Sequence, residues 1–148
     1  MEMIDRGLQQ RVWQRVAEGR KAAWDAEALR PLIAGELAAS AALLRIAQRD
    51  PGRKRALLRV LSGEKQRSST FLKGIYRALT GRSPQVTPAP LPRLPRKDLL
   101  MQCHWQQQKL LEALQHWTQH PTFGKSFDRL YQQALAQNHA LLELLGDG

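Results

Sequence analysis

Residues 81–97 read GRSPQVTPAPLPRLPRK, and this stretch decides how the remainder of the chain is connected. Prolines at 84, 88, 90, 92 and 95 exclude helix and favour extended polyproline geometry. On both sides, apolar residues recur every three or four positions among Ala, Leu, Gln and Arg, as on amphipathic helices, and no alternating strand pattern interrupts them. Upstream, the spacing predicts helices over about Leu29–Gln48 and about Pro51–Thr80, with Pro31 tolerated in a first turn, Asp50 as a cap and Gly81 as the stop. Downstream it predicts helices over about Leu99–Gln119, capped by Asp98, and about Lys125–Leu145, after a break at Pro121 and Gly124. The connections within each pair are short, so each pair is an antiparallel hairpin. Helices of this length span roughly 30 to 45 Å, and an extended segment of this size reaches roughly 50 Å, far enough to cross the bundle end to end. The expectation is an all-α four-helix bundle of two hairpins joined by a long Pro-rich crossover.

Working outward, 148 residues support a single core, so 1–148 reads as one helical domain. Its parts are an N-terminal segment 1–28, a first hairpin 29–81, a crossover 82–97 and a second hairpin 98–148. An extra short helix is expected over 5–18, where Leu8, Val12 and Val16 are in register beside Trp13. Hydrophobic residues at 43% and charged residues at 24% are globular proportions. No run approaches the roughly 18 apolar residues of a membrane span. A single cysteine, Cys103, and a start without an apolar leader fit a cytoplasmic location.

The net charge of +10 is local. From Arg53 to Lys97 there are twelve basic residues and one acid, Glu64, a balance of +11 that leaves the rest of the chain nearly neutral. On a helix, Arg55, Arg59, Lys73 and Arg77 fall on one outward ridge, either a solvated face or a docking surface for an anionic partner such as nucleic acid. No zinc-finger spacing, glycine phosphate loop or Ser-His-Asp order accompanies it.

The inner faces carry polar groups near mid-length. The first helix reads Leu29, Leu32, Glu36, Ser40, Leu43, Ala47. The second reads Leu57, Val60 with Leu61, Glu64, Arg67 with Ser68, Phe71, Ile75, Leu79, and so points Glu64 and Arg67 inward. The third gives Leu100, Cys103, Gln107, Leu110, Leu114, and the fourth Phe127, Leu130, Ala134, Asn138, Leu141, Leu145. Buried carboxylates at one depth on adjacent helices need a positive partner. The pair Cys103-His104 reads as core packing plus a surface histidine, and His116 and His120 read as surface groups at a helix end. Trp13, Trp24, Trp105 and Trp117 read as packing anchors.

The segments Leu32-Ile-Ala-Gly-Glu-Leu-Ala-Ala, Leu57-Leu-Arg-Val-Leu-Ser-Gly-Glu-Lys-Gln-Arg and Gly74-Ile-Tyr-Arg-Ala-Leu-Thr-Gly81 resemble the first hairpin of a rubrerythrin-type member of the ferritin-like superfamily. Such bundles hold a di-metal centre with a Glu from each of two helices and Glu-x-x-His from each of the other two. The resemblance implies that Glu36, Glu64, Arg67, Gln107, Leu135 and Asn138 stand at the former metal positions, with Arg67 where a histidine would be. Glu36, Glu64, His104 and His139 are the residual candidates for ligating iron or manganese.

From this follow a principal expectation and two alternatives. The principal one is a non-catalytic structural or interaction module without a cofactor, in which Arg67 donates to Glu36 and Glu64 while Gln107 and Asn138 satisfy what remains. One alternative is a metal-binding oxidoreductase of iron or oxidative-stress chemistry, and the other an anion-binding module using the basic helix and crossover. A homodimer along the long faces is the further expectation the resemblance brings.

Overall fold

The computed structural model describes residues 24–146. Among these, a 3-10 turn, Ala26–Ala28, leads into four helices: α1 (Leu29–Ala47), α2 (Gly52–Thr80), α3 (Arg96–Trp117) and α4 (Gly124–Gly146). No strand forms among the described residues, and no helix there is long and apolar enough to cross a membrane. The helix expected over 5–18, with Trp13, lies outside the described residues.

Two apolar clusters show how the helices run. One joins Leu29 and Ile33 of α1, Leu72 and Tyr76 of α2, Leu110 and Leu114 of α3, and Phe127 and Leu130 of α4. The other joins Leu43 and Ile46, Leu58 and Leu61, Leu99 and Leu100, and Leu141 and Leu144. The start of α1 therefore meets the end of α2, the end of α3 and the start of α4. Each helix is antiparallel to both the helices it packs on, and α1 contacts α3 as α2 contacts α4. The crossover must then travel from the first cluster to the second.

It does so along α1, held at both ends by arginine. Arg30 Nη1 donates to the Gln85 carbonyl at 3.1 Å, and Arg45 Nη1 donates to the Pro92 carbonyl at 3.1 Å. Seven residues of polyproline rise about 22 Å, as do fifteen of α-helix, so the two strips stay in step between these fastenings. Val86 packs on the first cluster, and Leu91 and Leu94 on the second. Arg30 also pairs with Glu27 at 2.6 Å and donates to the Tyr76 hydroxyl at 2.9 Å, tying the chain before α1 to the end of α2.

Several ends differ from the sequence expectation. Asp50 does not cap α2: Pro51 occupies the cap position, and the buried Asp50 carboxylate accepts from Arg96 Nε and Nη2 at 2.8 to 3.0 Å. An ion pair across two hairpins outcompetes a local cap because Arg96 begins α3 rather than preceding it, which also moves Asp98 into the first turn. The end of α1 is closed by Arg55, whose Nε donates to the carbonyls of Ala47 and Asp50. His120 is buried rather than at the surface; its Nδ1 accepts from the backbone N–H of Thr122 and of Phe123, both at 3.1 Å, and its ring stacks on Trp117. Trp24 and Trp117 are packing anchors in this aromatic group, whereas Trp105 is 62% exposed.

Gly81 ends α2 with φ +74°, where its N–H reaches the Arg77 carbonyl at 2.7 Å. Gly74, in the interior of the same helix, has open space where a Cβ would stand. One substitution should therefore act with opposite sign at the two sites. Gly81→Ala is expected to cost about 1 kcal/mol through left-handed strain, and Gly74→Ala to gain up to about 1 kcal/mol from helix propensity. Urea unfolding midpoints of the two variants check this.

Candidate functional site: a charged layer at mid-bundle

Between the two apolar clusters lies a layer of buried polar side chains: Glu36 and Ser40 on α1, Ser62, Lys65, Ser68 and Ser69 on α2, Gln107 on α3 and Gln137 on α4. At its centre is Lys65, 1% exposed. The ammonium Nζ donates to Glu36 Oε1 at 3.1 Å and to Gln107 Oε1. With its oxygen turned to the cation, the Gln107 amide points its nitrogen the other way, donating to the Ala134 carbonyl at 2.8 Å and to Gln137 Oε1 at 3.2 Å. Gln137 in turn donates to Glu64 Oε1 at 3.4 Å, and Gln133 to Glu64 Oε2 at 3.4 Å. One hydrogen-bonded chain, Glu36–Lys65–Gln107–Gln137–Glu64, thus touches all four helices.

Beside it, Ser40 and Ser62 fasten α1 to α2 reciprocally, each hydroxyl donating to the other's carbonyl at 2.9 Å. Glu36 Oε2 and Ser68 Oγ are buried without a hydrogen-bond partner. Burial pushes the Glu36 carboxyl above its ordinary range, and the Lys65 charge pulls it back. Burial lowers the Lys65 ammonium, with Glu36 opposing. Each partner's charge opposes the desolvation of the other, which for both is the larger effect. The Cys103 thiol is buried and pushed up to about 11 by desolvation, a state in which it is not a nucleophile.

The sequence-derived site residues divide into two groups. Glu36 and Gln107 lie in the layer, and Glu64 at its half-buried margin. Arg67 does not: it faces solvent, and the expected Glu-Arg-Glu network gives way to a Glu-Lys pair. The reason is the rotation of α2. Its buried positions are Leu58, Leu61, Ser62, Lys65, Ser68, Ser69, Leu72, Ile75 and Tyr76, a face rotated by about one residue from the stripe expected, so Val60 is exposed and Lys65 turns inward. Likewise the buried amide of α4 is Gln137, not Asn138, and Leu135 packs at the edge of the first cluster. Asn138 instead accepts from Gln108 Nε2 at 3.0 Å and meets His104 Nδ1 at 3.1 Å on the outer seam of α3 and α4. His139 is exposed, and so is His116. Of the basic ridge, Arg59 and Arg77 are exposed, Lys73 is partly so, and Arg55 is committed to closing α1.

Could this layer hold the two cations that the resemblance implies? All but one of the oxygens that would ligate them are already given to an ammonium or to amides: Glu36 Oε1 and Gln107 Oε1 to Lys65, and both Glu64 oxygens to glutamines, which leaves the single Glu36 Oε2. Hard divalent ions require several anionic oxygens and would meet a fixed positive charge here. Among the described residues no group of three or more His, Cys, Asp or Glu side chains is placed to bind a metal ion. The residues present do not fit a di-metal centre.

Lys65→Met keeps the length of the side chain and removes the charge, leaving Glu36 buried and unpaired. An expected cost of about 3 to 5 kcal/mol follows, and Glu36→Leu added to it should recover most of the loss. The deficit of Lys65→Met also depends on pH. Without the cation, the folded-state carboxyl of Glu36 rises further above its ordinary 4.5. A raised acid contributes stability that is present below the unfolded value and lost as pH climbs through the folded one. The variant should therefore fall further behind the parent as pH climbs above the ordinary value of 4.5, and a pH-independent deficit in urea unfolding would contradict the burial of an ionisable Glu36. Comparison with protein-family models, with curated proteins and with solved structures finds no match to this chain.

Proposed function

We propose that this chain is a ferritin-like bundle of the rubrerythrin type in which an internal ion pair stands where related bundles hold metal, and that it serves as a non-catalytic structural or interaction module. The observation that carries the reading is the Lys65 ammonium at mid-bundle, bonded to a carboxylate of α1 and an amide of α3. Antiparallel neighbours throughout and a crossover running the length of α1 support the likeness of topology. Likeness of fold does not bring activity with it, and four of the six former ligand positions carry Arg67, Gln107, Leu135 and Asn138. A bundle whose middle is occupied by its own cation keeps the shape of an oxygen-activating protein without its chemistry, and offers its outer faces as what remains to be used.

Purification of the full chain under anaerobic, iron-supplemented conditions, followed by elemental analysis, tests the reading. Iron or manganese well below one ion per chain is expected, and a near-stoichiometric amount would overturn it in favour of an oxidoreductase. A second arm uses Lys65→Glu, which places another carboxylate beside Glu36. Added manganous ion should raise the melting temperature of that variant and leave the parent unchanged, because only the variant gains an anionic oxygen donor in place of the ammonium.

A further inference from the structure

Lys65, one of the twelve cations counted between Arg53 and Lys97, is buried, and Arg55 and Arg96 are engaged by α1 and Asp50. Of those that remain, Arg59, Arg67, Lys73 and Arg77 lie along α2 and Arg82 just past its end, while Arg53, Lys54, Arg93 and Lys97 join Arg45 and Arg49 where the end of α1, the start of α2 and the start of α3 come together. There, Arg45, Arg49 and Arg93 surround an open cleft of about 480 Å³, whose other walls are Leu94 and Pro95. Arg45 stands in the last turn of α1 and Arg49 in the turn that follows it, and Arg93 faces them from the crossover. The cleft is firmly built. Arg45 is held by its bond to the Pro92 carbonyl, Pro92 and Pro95 bracket Arg93 with fixed backbone torsions, and Leu94 packs into the core.

Its charge is uncompensated. Among the described residues neither Arg49 nor Arg93 forms an ion pair, and the buried carboxylate of this region, Asp50, is already bound to Arg96. Arg53, Lys54 and Lys97 extend the positive field beyond the cleft, outnumbering the exposed Asp98 and Glu143 at the same end. Guanidinium groups match the paired oxygens of phosphate, and several of them around one cleft concentrate its field.

We propose that this cleft binds the phosphodiester backbone of a nucleic acid strand. The proposal goes beyond the reading of the bundle core and does not rest on it. A strand fits better than a single phosphate because Arg53, Lys54 and Lys97 carry the positive charge past the cleft, as a repeating anion requires. It fits better than a membrane surface because three of the five residues lining the cleft are arginines, and its apolar walls, Leu94 and Pro95, form no amphipathic helix face to insert. Recognition here is of the backbone and not of sequence, since no exposed aromatic ring lines the cleft to stack a base.

The experiment measures fluorescence anisotropy of labelled DNA and RNA strands of about 20 nucleotides with the full chain, between about 50 and about 200 mM salt. The parent should bind at low salt and weaken steeply as salt rises. The double variant Arg49→Gln, Arg93→Gln should lose about tenfold or more in affinity and lower the salt slope by about two. The double variant Arg59→Gln, Arg77→Gln removes the same charge from the outer face of α2 and should lose less than about threefold. All four side chains are exposed without an ion-pair partner among the described residues, so neither variant disturbs the core. Absence of binding by the parent at low salt would overturn the proposal. Equal losses in the two double variants would also overturn it, by showing a response to net charge alone. Tighter retention by polyglutamate or by phosphatidylserine vesicles than by the strands would assign the cleft to another partner and overturn it as well.

Discussion

The four helices meet around a buried ammonium. Lys65 can remain charged there only while Glu36 faces it and Gln107 offers its oxygen, and Gln107 can do so only while its nitrogen is satisfied by Ala134 and Gln137. Each requirement belongs to a different helix. A rotation of any one of them by a single residue would leave a charge or an amide without a partner in a medium where that is costly. Apolar packing alone is more permissive, because Leu exchanges for Leu at small penalty. The buried layer therefore sets the register, and the two hydrophobic clusters above and below it supply most of the cohesion.

Much of the architecture could be read from residues. The prolines of 84–95 exclude helix, short turns fold each hairpin, and Gly81 stops α2 where its left-handed torsion requires glycine. Glu36 and Gln107 were legible as polar residues on otherwise apolar faces, and both are buried. The face of α2 was not. Its inward side carries Ser62, Lys65, Ser68 and Ser69, while Leu57, Val60 and Phe71 sit off to one flank, so following the apolar residues rotates the helix by one position. A lysine is also the residue type for which burial is least expected without a partner, and its partners are 29 and 42 residues away in sequence. The signal that would have found it is the run of small residues, since serines on α2 opposite Ser40 on α1 mark where two helices approach closely.

The same displacement changes how the basic segment should be understood. On sequence it is a stretch of one sign; in three dimensions its members have separate duties. Lys65 neutralises the core, Arg55 closes α1, and Arg96 holds Asp50 across the hairpins. Of what is left for an outside partner, Arg53, Lys54, Arg93 and Lys97 join Arg45 and Arg49 at one end of the bundle, where three helix termini and the crossover converge, and Arg59, Arg67, Lys73 and Arg77 stay along α2. Linear charge counts do not distinguish these uses because they carry no information about which guanidinium is already bonded.

The crossover is also a mechanical element. Arg30 and Arg45 bind it to α1 at two points, and between them a polyproline strip and an α-helix cover equal length with unequal numbers of residues. Such a pair behaves as a vernier. Substitutions that keep the extended backbone leave the scale intact, whereas insertion or loss of residues between Gln85 and Pro92 shifts one fastening relative to the other by about 3 Å each. Arginine side chains can follow the first such step by reorienting, and further steps would detach one end. Length within this segment is thereby fixed more strictly than composition, the reverse of what holds for an ordinary surface loop.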